Sequence, residues 1–206
     1  MFDIGGVFIG LDFSRAVKRT AAVLNRHPDD VKRSLFGAGN PMTDRKNFMN
    51  EYECGKMDDA EFHACVERAL GGALPFGEFK AAWNDIFLDP IHDTVRVAES
   101  LLAGGHVKLG ILSNNNPMHW LAIKPVVPLV TEFEHIFLSH EIGYKKPDAG
   151  AFLHALETMS VDPARTIFVD DLAENITAAT RVGMKTIHAT NPKAVRDGFA
   201  AHGIKI

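Results

Sequence analysis

The sequence predicts an α/β fold: a doubly wound parallel sheet interrupted near its start by a helical insertion. Three observations carry this. From Val107 onward, short and nearly unbroken apolar runs alternate with helical patterns, as expected of strands covered on both faces. Residues 14–88 show helical spacing and no strand-like run. Polar or charged residues stand where each apolar run stops, which is where open α/β sheets carry their sites.

The elements follow in order. Val107–Leu112, His135–Leu138, Thr166–Val169 and Lys185–His188 read as strands. Thr94–Ala103 places Val95, Ala98, Leu101 and Leu102 at helical spacing before Gly104-Gly105. Ala149–Met159 follows Pro147, Ala173–Val182 stops at Gly183, and Lys193–Ala201 sets Val195 and Phe199 four apart. Within 14–88, Phe48 and Tyr52 pair on one helix. Asp58 and Glu61 form a capping box ahead of Phe62, Val66 and Leu70. Pro75 opens a helix whose broad apolar face runs through Phe76, Phe79, Trp83, Ile86 and Phe87.

Composition narrows the function classes. Of 206 residues, 46% are apolar and 23% charged, which excludes a disordered chain. Twenty-two basic against 26 acidic residues give a net charge of −4, so neither nucleic acid nor an anionic membrane surface is a predicted partner. Cys54 and Cys65 are too few to staple the fold and suit a reducing cytoplasm. No apolar run approaches the roughly 18 residues that span a bilayer. Met1-Phe2-Asp3 shows no secretory leader, and the predicted location is cytoplasmic.

The strand ends supply Asp3, then Ser113 and Asn114, then Lys145 and Lys146 before Pro147, then Asp170, Asp171 and Asn175. Together these are the parts of a phosphoryl-transfer site. A carboxylate attacks phosphorus, and paired carboxylates hold Mg²⁺, which prefers one or two of them plus water and substrate phosphate. A lysine neutralises phosphate charge, and a hydroxyl with neighbouring N–H groups binds the phosphoryl oxygens.

In this order, the motifs Phe2-Asp3-Ile4-Gly5-Gly6-Val7, Leu112-Ser113-Asn114, Gly143-Tyr144-Lys145-Lys146-Pro147-Asp148 and Phe168-Val169-Asp170-Asp171 through Asn175 resemble those of the haloacid-dehalogenase-like hydrolases. The resemblance covers essentially the whole chain. Glu53-Cys54-Gly55-Lys56-Met57 and the Ser113–Asn116 pattern are similar to a bacterial subgroup that includes α-D-glucose-1-phosphate phosphatase. The resemblance implies a Rossmann-like core at 1–13 and 89–206 and a helical cap at 14–88. It implies that Asp3 is the nucleophile, that Ser113, Asn114 and Lys146 hold phosphate, and that Asp3, the Gly5 carbonyl and Asp171 bind Mg²⁺. It implies that Asp170 and Asn175 are further groups of the metal site or stand just behind it.

Many phosphatases of this kind carry an acid/base Asp two residues after the nucleophile, where this chain has Gly5. Such help is worth about 10²–10⁴-fold. Its absence predicts substrates whose leaving group needs little protonation, such as an anomeric sugar phosphate. Asp12 is read first as the cap of the following helix and second as a proton donor at the entrance. Phe13, Arg15 and Trp83 are further candidates for the entrance. The histidines lack metal spacing, neither cysteine has a catalytic partner, and Lys145 reads as solvated charge.

The predicted activity is a Mg²⁺-dependent phosphomonoester hydrolase acting on a small metabolite, of sugar-phosphate type, through an aspartyl phosphate on Asp3. The alternatives are a 2-haloacid dehalogenase, which the Asp170-Asp171 pair disfavours, and a catalytically impaired phosphate-ligand binder, which Gly5 suggests. A central strand needs about five residues, yet only Met1 and Phe2 precede Asp3. This predicts an abnormally short first strand, or a natural start several residues upstream.

Overall fold

Strand pairing begins at Phe2, which sits between two parallel neighbours. Its N–H donates to the Gly110 carbonyl at 2.9 Å and its carbonyl accepts from Leu112 at 2.9 Å. On the other side Asp3 N–H donates to Val169 at 2.9 Å and Val169 N–H to Met1 at 3.0 Å. Phe2 makes isolated bridges to both Ile111 and Val169. The structure, a computed structural model, describes residues 1–37 and 47–204. The part of the expected helical segment at 38–46 lies outside the described residues.

After this bridge the chain forms β1 (Ile9–Leu11), then α1 (Phe13–Leu24), α2 (Pro28–Phe36), α3 (Asn47–Glu53), α4 (Asp59–Leu70) and α5 (Phe76–Trp83). It returns through β2 (Phe87–Pro90), α6 (His92–Gly104), β3 (Gly110–Ser113), α7 (Pro117–Ile123), β4 (His135–Leu138) and α8 (Ser139–Ile142). The last elements are α9 (Ala149–Met159), β5 (Ile167–Asp170), α10 (Ala173–Arg181), β6 (Lys185–His188) and α11 (Pro192–Ala201). β3 pairs parallel with β4, and β5 with β6. Phe2 joins the pairs, giving the order β4-β3-Phe2-β5-β6.

Residue alternation builds the two covered faces. Phe2, Ile111, Leu138, Val169 and Ile187 face a core closed by Val97, Ala98 and Leu101 of α6 and by Val195 and Phe199 of α11. Met1, Leu112, Phe137 and Phe168 face the opposite core, closed by Phe152, Ala155 and Met159 of α9 and Ala179 of α10. The doubly wound architecture follows from this alternation at four-residue strands. Among the described residues no helix is long and apolar enough to cross a membrane.

The helical unit has a separate core. Val17 and Ala21 of α1, Val31 and Leu35 of α2, Tyr52 of α3, Phe62 and Val66 of α4, and Phe79 of α5 pack together. Tyr52 and Phe62 stack with centroids 4.0 Å apart and planes 7° apart. The capping box forms: Ala60 and Glu61 N–H donate to Asp58 Oδ1, and Asp58 N–H donates to Glu61 Oε2.

Two local expectations change. The helix opened by Pro75 stops at Trp83, and Phe87 belongs to β2, so the segment does contain strand. The reason is connectivity: the two passages between sheet and helical unit run side by side, and β1 and β2 pair antiparallel. The strand expected from Val107 begins only at Gly110. Val107, Lys108 and Leu109 instead line a cavity of about 380 Å³ together with Met1 and Ile167.

Phe62 is fully buried at the centre of the helical unit. Phe62→Ala is expected to cost about 3–5 kcal/mol, as for large aromatic deletions, read as a lower urea midpoint.

Candidate active site

The carboxyl ends of the central strands converge because neighbouring parallel strands end in register. Asp3 follows bridging Phe2, Ser113 closes β3, and Asp170 closes β5 with Asp171 next. Lys146 enters from the segment joining α8 and α9, and Asn175 from the first turn of α10. A pocket of about 310 Å³ is lined by Asp3, Gly5, Ser113, Asn114, Lys146, Asp171 and Asn175. Asp170 lies beneath it, fully buried.

Lys146 is the hub. Only 1% exposed, its Nζ stands 2.9 Å from Asp3 Oδ1 and donates to Asp170 Oδ2 at 2.6 Å. It also lies 5.2 Å from the centroid of the Phe168 ring. Burial disfavours its charge, but Asp3 and Asp170 outweigh burial and hold the ammonium above the usual lysine value. Burial pushes the Asp3 carboxyl up to about 7, opposed by Lys146 and assisted by Asp170 and Asp171. Burial, then Asp170, raises Asp171 as well.

The supporting bonds fix these groups. Asn175 Nδ2 donates to both Asp170 oxygens at 3.0 Å, and Leu172 N–H donates to Asp170 Oδ1 at 2.8 Å. Asn114, which lines the pocket, spends its side chain on the lysine segment. Its amide donates to the Lys146 carbonyl at 2.7 Å and accepts from Lys146 N–H at 2.8 Å, so it clamps the lysine segment. Ser139 and Asn115 exchange two bonds beneath Ser113: Asn115 N–H to Ser139 Oγ at 2.9 Å, and that hydroxyl to Asn115 carbonyl at 3.1 Å.

The acidic groups suit a hard divalent cation. One oxygen each from Asp3, Asp170 and Asp171 lie within 4.8 Å of one another. Asn175 Oδ1 is buried without a hydrogen-bond partner beside them, a further oxygen donor. Gly6 explains how Asp171 comes so close. It has φ +69°, and a Cβ there would lie 2.2 Å from Asp171 Oδ2.

Gly5 lines the pocket, and the space beyond its Cα is filled. A Cβ there would lie 2.7 Å from Leu11 Cδ1. The side chain nearest to where an acid would project is therefore Leu11, and Phe13, Ile86, Phe87 and Ile123 are further apolar groups of the lining.

The entrance candidates separate. Phe13 lines the pocket. Asp12 caps α1 by accepting from Ser14 N–H at 2.9 Å, a bond that lowers its pKa, and it does not line the pocket. Arg15 turns to Asp85 at 2.7 Å and is also absent from the lining. Trp83 lines a small adjoining cavity and stacks on His119, with centroids 5.1 Å apart. Lys145 is corrected from solvated charge: its Nζ donates to Asn50 Oδ1 at 2.7 Å and Glu53 Oε2 at 3.1 Å, and all three line the pocket. Glu53 stands first in the Glu53–Met57 motif, which assigns it no role, and the sequence signal for Asn50 is only its place on a helix beside Tyr52. His119, whose Nε2 donates to the Trp83 carbonyl at 3.0 Å, lines the pocket with no local motif to announce it.

Removing the hub leaves buried carboxylates uncompensated. Lys146→Met is expected to destabilise the metal-free protein by about 3–5 kcal/mol, measured by chemical denaturation.

Comparison with known proteins agrees with this geometry. The chain is 28% identical over 200 residues to a D-ribitol-5-phosphate phosphatase of Bacteroides thetaiotaomicron, covering 93% of this chain and 91% of that protein. It is 24% identical over 192 residues to a phosphoglycolate phosphatase of Pseudomonas fluorescens, covering 91% of this chain and 67% of that one. A haloacid dehalogenase family enzyme of Bacteroides thetaiotaomicron, solved with magnesium and inorganic phosphate, superposes with a TM-score of 0.78 at 25% identity, covering 90% of each chain. The family model of the haloacid dehalogenase-like hydrolases matches residues 1–183, and the chain belongs to that family.

Proposed function

We propose that this hydrolase is a Mg²⁺-dependent phosphomonoesterase acting on a small phosphorylated metabolite, with Asp3 as nucleophile. One observation carries the reading. Asp3, a carboxylate at a strand end, shares a pocket with Lys146 and with a cation-sized cluster of carboxylate oxygens. The phosphatase relatives support the reaction class, and the related structure holding magnesium and phosphate supports the metal. A pocket of about 310 Å³ suits a small molecule.

Asp3, Asp171 and the Gly5 carbonyl would hold Mg²⁺, with Asp170 and Asn175 fixing the arrangement from behind. When bound, the ion draws the phosphate dianion against a site otherwise rich in negative charge. Lys146 holds Asp3 Oδ1 at 2.9 Å, leaving Oδ2 to attack phosphorus. The new Oδ2–P bond forms as the ester P–O bond breaks, and the leaving oxygen departs with its electron pair and takes a proton from water. Ser113 and adjacent N–H groups receive the phosphoryl oxygens. Water then attacks phosphorus, the Asp3–P bond breaks, and inorganic phosphate and the free carboxylate are restored.

No carboxyl stands at Gly5 to protonate the leaving oxygen, and Leu11 fills that space. This favours leaving groups of low basicity. The buried carboxylates disfavour the haloacid alternative, whose substrate is itself a carboxylate and needs no metal.

Asp3→Asn is expected to abolish turnover of phosphate esters, by at least about 10³-fold. Asp171→Ala is expected to remove the Mg²⁺ binding seen by calorimetry. Across aryl phosphates, kcat/KM is expected to rise steeply as leaving-group pKa falls; a flat dependence contradicts the missing-acid reading. Metal-independent turnover of a 2-haloacid contradicts the phosphatase reading altogether.

A further inference from the structure

Asn50, Glu53 and Lys145 line the pocket, yet their polar groups answer one another. What they join is the informative part. Lys145 directly precedes Lys146, whereas Asn50 and Glu53 belong to α3 of the helical unit. Glu53 is 5% exposed, and its Oε2 accepts from Lys145 Nζ at 3.1 Å. The same ammonium donates to Asn50 Oδ1 at 2.7 Å. We propose that Lys145 is a positioning residue of the hydrolysis: it ties the segment bearing Lys146 to α3, and the phosphoryl-binding groups keep their places only while that tie is made. The proposal rests on the phosphatase reading above and gives Lys145 no contact with substrate.

The helix is a firm anchor. Tyr52, on the same helix, is fully buried and stacks on Phe62 in the core of the helical unit. The turn after the helix is seated on α8. Gly55 there has φ +69°, and a Cβ at that position would collide with the His140 carbonyl oxygen. The segment carrying Lys145 and Lys146 follows α8 directly. Helix and segment are therefore set against each other twice, by backbone contact at Gly55 and by the Lys145 ammonium.

The segment has need of such a hold. Residues 143–148 form neither helix nor strand. From the sheet side, the Asn114 side chain grips the Lys146 N–H and carbonyl, and Asp148 N–H donates to the Lys145 carbonyl at 2.9 Å. Lys145 adds the hold from the helical side. Slack in this segment reaches two groups at once, because Lys146 Nζ stands 2.9 Å from Asp3 Oδ1 and Asn114 follows Ser113. A misplacement of about 1 Å at a reacting centre is able to cost roughly 10²-fold in rate. Breaking a buried pair strands one charge and destabilises, whereas replacing both partners by apolar groups is often neutral. That difference allows the positioning role to be separated from a purely structural one.

Steady-state kinetics of the full chain with Mg²⁺ on p-nitrophenyl phosphate and ribitol 5-phosphate test this. Lys145→Met combined with Glu53→Met removes both charges and is expected to fold. Its kcat is expected to fall about tenfold, by the same factor on both esters, with KM changed less than about twofold. The factor is shared because the phosphoryl group is common to both esters. Lys145→Arg keeps a cation able to reach both partners and is expected to retain most of the rate. Asn50→Ala removes one acceptor, moves kcat in the same direction, and decides the matter if the double variant does not fold. An unmoved kcat in a folded variant, whatever its melting temperature, means a structural tie and overturns the positioning role alone. A loss confined to one ester, or carried by KM, means contact with the leaving group and overturns it as well. No ester turned over by the unaltered protein overturns the phosphatase reading, and the positioning role with it.

Discussion

A lysine ammonium with almost no water around it sets the terms for everything at the head of this sheet. Lys146 lies between Asp3 and Asp170, and neither carboxylate is tolerable in that position without a positive charge. The converse also holds, since burial alone would discharge the lysine. The groups are therefore mutually dependent, and the scaffold is organised to keep them in place. Asn114 clamps the lysine backbone on both sides, Asn175 and Leu172 N–H grip Asp170, and Phe168 presents its ring to the ammonium. Phe168 also packs in the sheet core, so hydrophobic packing and charge placement share a residue.

Around that fixed centre the pocket lining combines two kinds of residue. One is hydrocarbon, contributed by β1, the start of α1, β2 and the end of α7. The other is polar, contributed by α3 and the Lys145 segment. The paired strands β1 and β2 carry the chain between sheet and helical unit, and both Leu11 and Phe87 of that ribbon reach the pocket. A connection needed for topology thus also shapes the space available to substrate.

The sequence made the sheet legible because its strands are short apolar runs that stop at polar residues. His135–Leu138 and Lys185–His188 match the observed strands residue for residue. The site was legible for the same reason: strand ends are one-dimensional landmarks, and Asp3, Ser113 and Asp171 sit on them. What escaped was anything decided by contact across the two cores. Lys145 looked like surface charge because its partners lie far away on α3. Arg15 looked like an entrance residue because it follows the first motif closely, but chain proximity does not say which way a side chain turns, and Asp85 claims it. Phe87 fitted a helical face by spacing, but strand pairing with β1 overrode it.

The closeness of Leu11 to position 5 shapes what this active site is able to carry. An aspartate introduced at position 5 meets Leu11 Cδ1 before its carboxyl is placed. That methyl is the far end of a flexible side chain, so a side chain at position 5 asks Leu11 to turn aside and leaves the backbone in place. Position 11 lies on the ribbon leading to the helical unit, so what position 5 is able to carry is set by that ribbon as well as by the strand end that bears Asp3.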